Sequence, residues 1–223
     1  MTSHTGNRFQ ISKRAIDLPP LGLAADLTVP SGAWALIVFA HGSGSSRLSP
    51  RNRAVAAELN ARGMATLLFD LLTPAEEGDR RLVFDIPLLA QRLVGAVAWL
   101  AAEPDVRRLP VGLFGASTGA AAALVAAAEL PERIGAVVSR GGRPDLAEAA
   151  LPAVRAPVLL LVGGADTDVL ALNRAALEGL SAAKSLVVIP DASHLFPEPG
   201  AMQAVTDHAA RWFERHLAGR RSA

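Results

Sequence analysis

Six short apolar runs, separated by segments with the composition or period of a helix, limit what this chain can fold into more than anything else in it. They are Ala35 to Ala40 (ALIVFA), Ala65 to Phe69 (ATLLF), Val111 to Phe114 (VGLF), Ile134 to Ser139 (IGAVVS), Val158 to Val162 (VLLLV) and Leu186 to Ile189 (LVVI). Runs that are apolar nearly throughout, and not at alternate positions, suit strands covered on both faces. Strand and helix in alternation then predict an α/β domain: a mostly parallel central sheet with helices on both faces. Ser49-Pro50 reads as an N-cap and first-turn proline opening a helix that closes at Gly63. Leu89, Leu93, Val97 and Leu100 form an amphipathic stripe, and Met202, Val205, Ala209, Trp212, Phe213 and Leu217 form another on the last helix. The segment from Thr118 to Leu130, almost all Ala, Gly and Leu, reads as a buried central helix. Arg8 to Ile16 and Leu23 to Val29 are expected to pair as an antiparallel start around Pro19-Pro20. Leu71 to Asp85, charged and containing proline, is the one stretch to which the pattern assigns no element, a candidate mobile loop over a site.

With 223 residues, 51% of them apolar, the chain supplies one large core without staples, so a single domain over 1–223 is expected, with residues 1–7 flexible. The absence of cysteine excludes thiol nucleophiles, Cys-ligated zinc, iron–sulfur clusters and disulfides. A formal charge of +1 provides no field for holding nucleic acid or an anionic membrane. Met1 to Pro20 has no continuous apolar stretch, so the expected address is the cytoplasm, as a monomer or homodimer.

Gly115-Ala116-Ser117-Thr118-Gly119 is a G-x-S-x-G between the strand VGLF and the buried helix. That placement lets a strained turn push the serine hydroxyl out of the sheet while the glycines allow helix and strand to approach. A serine needs a base, and the base needs a third group to hold its tautomer. Asp166 follows the strand VLLLV and His194 follows LVVI, so all three stand at carboxyl ends of strands, where parallel sheets collect their sites. Asp166 also suits a turn or N-cap, and Asp168 is an alternative acid two residues on. His4, His208 and His216 lack such a setting. Thr118 N–H and Ser43 N–H, the latter in the loop after ALIVFA, are the expected oxyanion donors, with His41 bracing that loop. Arg140 and Arg143 flank Gly141-Gly142 at the same edge and are candidates to recognise an anionic substrate; the alternative is an ion pair with Asp145 or Asp70. Gly42-x-Gly44 lacks the third glycine of a dinucleotide fingerprint, there is no phosphate-binding G-x-x-x-x-G-K-[ST], and no H-E-x-x-H or Cys/His cluster offers metal ligands. No cofactor and no metal are expected.

Together, VFAHGSGSS, GLFGASTGAAAA, VGGADTDVL and DASHLFPEPG resemble the α/β-hydrolase superfamily, and within it the small dienelactone-hydrolase-like branch without a cap domain. The resemblance covers nearly the whole chain from about Leu23. It implies Ser117 as nucleophile, Asp166 as orienting acid, His194 as base, and Ser43 and Thr118 as oxyanion donors. Enzymes named for dienelactone hydrolysis carry cysteine at the elbow; serine here favours a small carboxylic ester or thioester as substrate. Relatives sharing SRGGRPD (Ser139 to Asp145) occur fused to a phosphoribosyltransferase domain, which implies a functional link of that kind. Acyl transfer, or a binding protein on a hydrolase frame, remain the alternatives.

Overall fold

A computed structural model describes residues 10–220, so the expected flexible 1–7 and His4 lie outside it. Eight strands form one sheet: β1 (Ile11–Leu18), β2 (Leu23–Pro30), β3 (Ala35–Ala40), β4 (Met64–Phe69), β5 (Val111–Ala116), β6 (Ile134–Arg140), β7 (Val158–Gly163) and β8 (Lys184–Ile189). Their order is β1-β2-β4-β3-β5-β6-β7-β8. The pairs β1–β2 and β2–β4 are antiparallel and the remaining pairs parallel. All six apolar runs are strands, and β3 to β7 are buried along their whole length. β8 is at the edge and half-exposed. β1 runs on to Leu18, two residues beyond the expected Ile16, because Leu18 pairs with Leu23 across the tight Pro19–Gly22 turn; Arg8 and Phe9 of the expected range lie outside the described residues.

Among the described residues there are six α-helices: α1 (Pro50–Ala61), α2 (Arg80–Val83), α3 (Ile86–Leu100), α4 (Thr118–Glu129), α5 (Thr167–Gly179) and α6 (Ala201–Leu217). On one face α1 and α6 pack Val55, Leu59, Val205 and Phe213 against Ile37, Phe114 and Val138. On the other, α3 and α4 pack Leu93, Val97, Ala123 and Leu124 against Leu36, Leu113 and Val137. The crossover from β6 to β7 is a 3-10 segment, Pro144–Ala153, and not an α-helix. Pro144 begins it and Pro152 lies inside it, and neither can donate the N–H an α-helix would require. Between β4 and α3 the only helix is the four-residue α2. Apart from α2 the 71–85 stretch is irregular, and the candidate mobile loop is tied down: Thr73 N–H donates to Glu76 Oε2 (2.8 Å), and Glu76 pairs with Arg92 of α3 (2.9 Å). Among the described residues no helix is long and apolar enough to cross a membrane.

The sheet's topology locates a crevice. After β3 the chain leaves toward α1 on one face, and after β5 toward α4 on the opposite face. Neighbouring parallel strands whose connections diverge in this way open a gap at their carboxyl ends.

Candidate active site

Ser117 stands in that gap, between β5 and α4, with φ 51° and ψ −121°. A side-chain-bearing residue adopts this region only at a cost of about 1–3 kcal/mol, so the surroundings must impose it. They do. Its N–H donates to Arg140 O (3.2 Å), and its carbonyl accepts from Arg143 N–H and Ala120 N–H (both 3.1 Å). A Cβ on Gly115 would overlap the backbone of Ala120, and one on Gly119 would overlap the carbonyls of Ala40 and His41. Helix, strand and the β3 loop are therefore in backbone contact around the serine, and only glycine fits at either flank.

The β3 loop reaches the same point. A Cβ on Gly42 would lie 3.0 Å from Ser117 Cβ. Ser43 N–H does not stand free but donates to Thr118 Oγ1 (2.9 Å). This hydroxyl was not singled out in the sequence, where Thr118 counts only for its backbone N–H at the positive start of α4. The loop is braced as expected by His41, whose Nδ1 lies 3.0 Å from Gly42 O and whose Nε2 accepts from Leu71 N–H (3.0 Å). That pairing needs one tautomer: neutral, with the proton on Nδ1. Burial holds His41 below the ordinary imidazole value of 6.5, so the unfolded chain takes up a proton there more readily than the folded protein. Its stabilising contribution is accordingly present above about pH 6.5 and shrinks as the pH falls below that. His41→Gln, which stays neutral, should flatten the acid-side decline of melting temperature between about pH 5 and 7. An equally steep decline in the variant would assign it to another group.

Asp166 and His194 meet across the next pair of strand ends. His194 Nδ1 lies 2.7 Å from Asp166 Oδ2; the carboxylate side chain is 14% exposed and the imidazole 39%. Asp166 occupies the N-cap position of α5, yet its side chain caps no backbone N–H and is committed to the imidazole. Asp168 lies exposed in the first turn of that helix. The two loops are stitched together: Gly164 N–H donates to Ile189 O (2.8 Å) and Ala165 N–H to Ala192 O (3.0 Å). On the far side of His194, Glu198 Oε1 accepts from Ser193 N–H (3.0 Å), and hydrogen bonding from Ser193 holds the Glu198 carboxyl below the usual range. Nothing in the sequence marks Glu198 for this role. A Cβ on Gly141 would lie 3.1 Å from His194 O and 3.6 Å from His194 Cε1, which brings this loop back against the end of β6.

The two arginines separate. Arg143 is held by Asp145 through two hydrogen bonds (2.7 and 2.9 Å), so the ion-pair alternative is what the structure displays for it. Asp70, the other partner considered, is taken by Arg47 (2.6 Å). Arg140 has neither acid. Of the remaining histidines, His208 lies on α6 and His216 packs at a tilt against Trp212 with ring centroids 4.3 Å apart. Beside the elbow, Gly42, Ser43 and Thr118 floor a cavity of about 330 Å³ with an apolar wall that includes Leu72, Val83 and Leu89.

The family profile described as "Dienelactone hydrolase family" matches residues 54–218. A crystal structure of a dienelactone hydrolase from Anabaena variabilis is 56% identical and superposes with a TM-score of 0.90, covering 94% of this chain and 99% of that one. Est1E from Butyrivibrio proteoclasticus, at 18% identity and a TM-score of 0.78, shares the fold over 92% of this chain and 99% of its own. A Mycobacterium tuberculosis protein (strain ATCC 25618 / H37Rv), provisionally named a phosphoribosyl transferase, is 56% identical over 200 residues. That match takes in 90% of this chain, which spans only 45% of the mycobacterial protein's length. With most of its length under the family profile and the same fold and over half the residues of a dienelactone hydrolase, this chain belongs to the dienelactone hydrolase family.

Proposed function

We propose that the chain hydrolyses a small carboxylic ester, thioester or lactone through an acyl-enzyme on Ser117. The observation that carries this reading is the 2.7 Å contact between Asp166 and His194 at the sheet edge that also holds the strained serine. As His194 Nε2 takes the Ser117 hydroxyl proton, Oγ bonds to the acyl carbon and the carbonyl oxygen becomes an oxyanion. Collapse breaks the bond to the leaving group, which departs with the proton from His194. Water then attacks the acyl carbon, giving a proton to His194, and Ser117 leaves with that proton as the acid is released. Asp166 holds the imidazole so that Nε2 is the basic nitrogen, and it offsets the charge His194 carries between the two transfers.

The oxyanion is received by the N–H groups of Thr118 and Ser43. In the resting protein Thr118 Oγ1 already satisfies Ser43 N–H, so an arriving carbonyl oxygen exchanges one acceptor for another and no donor is left bare. The cavity bounded by Leu72, Val83 and Leu89 suits an apolar substituent of modest length. A single-domain protein acting in the cytoplasm on a small molecule, alongside a phosphoribosyltransferase as the mycobacterial relative's name suggests, is part of the same proposal. A fluorophosphonate probe tests its centre: Ser117 should become covalently labelled, in step with loss of p-nitrophenyl ester turnover. Labelling elsewhere, or none on a protein that turns over esters, would overturn it.

A further inference from the structure

Arg140 ends β6, directly beside Ala116 in the sheet register and so next to the residue that leads into Ser117. It is only 8% exposed. Alternation along the strand puts its side chain on the face of Ala136 and Val138, under α1 and α6. Among the described residues its guanidinium makes no ion pair and no hydrogen bond, and Nε and Nη1 are buried with nothing to donate to. The acids at the neighbouring strand ends are engaged elsewhere: Asp70 by Arg47, Asp145 by Arg143 and Asp166 by His194. What does act on it is another cation, Arg51, the second residue of α1. Burial first, and the Arg51 charge second, push Arg140 down to about 10, which still leaves it charged at neutral pH.

A buried charge with no counter-charge is among the most costly arrangements a protein can hold. Here the charge of Arg51, in the first turn of α1, adds to it, which deepens the deficit of negative charge. We propose that Arg140 anchors an oxyanion-binding site on the α1 side of the nucleophile elbow, taking a carboxylate or phosphate group with support from Arg51. A planar fork of N–H donors matches such oxygens, and in a mostly dry setting each charge-assisted bond counts for more than at the surface. The oxyanion belongs either to a free anion resident in the protein or to the ester itself. The second source rests on the hydrolase reading; the site does not.

The test separates these. Wild type and Arg140→Met are melted in sodium phosphate and in sodium acetate, each matched for ionic strength with sodium chloride. In one or both oxyanions the wild type should gain about 3 °C or more over chloride, as expected for a ligand well above its Kd, and Arg140→Met should gain nothing. In chloride alone the variant should melt no lower than wild type, because it removes an unpaired charge. Calorimetric titration of wild type with phosphate and acetate gives the same answer should Arg140→Met not fold. No gain over chloride in either oxyanion with no heat of binding, or an equal gain in the variant, overturns the site. The source is then read from KM for mono-p-nitrophenyl succinate relative to p-nitrophenyl butyrate. A tenfold or greater rise of that ratio in Arg140→Met places the oxyanion on the substrate; an unchanged ratio with the melting gain lost makes it a free ligand.

Discussion

Ser117→Ala is expected to leave the protein folded and to remove ester turnover by about 10⁴-fold or more, the scale seen when a nucleophile is deleted from a site whose other parts remain. The fold should survive because Ser117 is held by its backbone, through Arg140 O, Arg143 N–H and Ala120 N–H, and not by its hydroxyl. The same geometry yields a control. Alanine inherits the unfavourable φ of 51°, whereas glycine does not, so Ser117→Gly should be the more stable of two inactive variants by roughly 1 kcal/mol. Turnover within tenfold of wild type in either variant would remove Ser117 from the chemistry. Equal melting temperatures would mean that the positive φ costs nothing in this setting.

Asp166→Asn should be nearly as damaging, by about 10³ to 10⁴-fold in kcat, although it changes one atom and preserves the shape of the side chain. An amide can present its NH₂ to Nδ1 and so favour the tautomer with the proton on Nε2, where it cannot accept from serine. It also carries no charge to offset the imidazolium. Asp168→Asn, two residues on and exposed at the start of α5, should stay within about threefold of wild type, since an exposed first-turn acid contributes a few tenths of a kcal/mol to its helix and nothing to His194. The comparison is made by steady-state kinetics on one ester with melting curves alongside. A severe Asp168→Asn and a mild Asp166→Asn would reverse the assignment of the acid.

The sheet was legible because burial on both faces leaves a mark that needs no partner to be seen: ALIVFA or VLLLV has no polar side to turn to water. The pairing of Asp166 with His194 was reachable for a related reason, since each follows such a run and parallel strands deliver their ends to one edge. What the sequence does not display depends on contacts between separate segments of the chain. Thr118 looks like a helix-start residue until the β3 loop brings Ser43 N–H to its hydroxyl. Glu198 looks like a solvated acid between two prolines until it closes on Ser193. The helix expected between β6 and β7 failed for a local reason that was visible, the prolines at 144 and 152. Arg143 shows the limit from the other side: two residues from Asp145 it had a neighbour at hand, while Arg140, sent inward by strand alternation, could not reach one.

The bonds that join the Gly164–Ala165 turn to Ile189 and Ala192 have a dynamic consequence. Because backbone amides of one loop are closed by carbonyls of the other, Asp166 and His194 cannot drift apart without opening the β7–β8 margin. That margin is a single edge strand, half-exposed and covered less deeply than the middle of the sheet. Opening should therefore begin there, and the amide hydrogens of Gly164 and Ala165 should exchange with solvent together with those of β8, well ahead of β3 and β5. Under mild denaturant the protein would lose its acid–base pair as one cooperative unit while the serine and its elbow, seated at the centre of the sheet, stay in place.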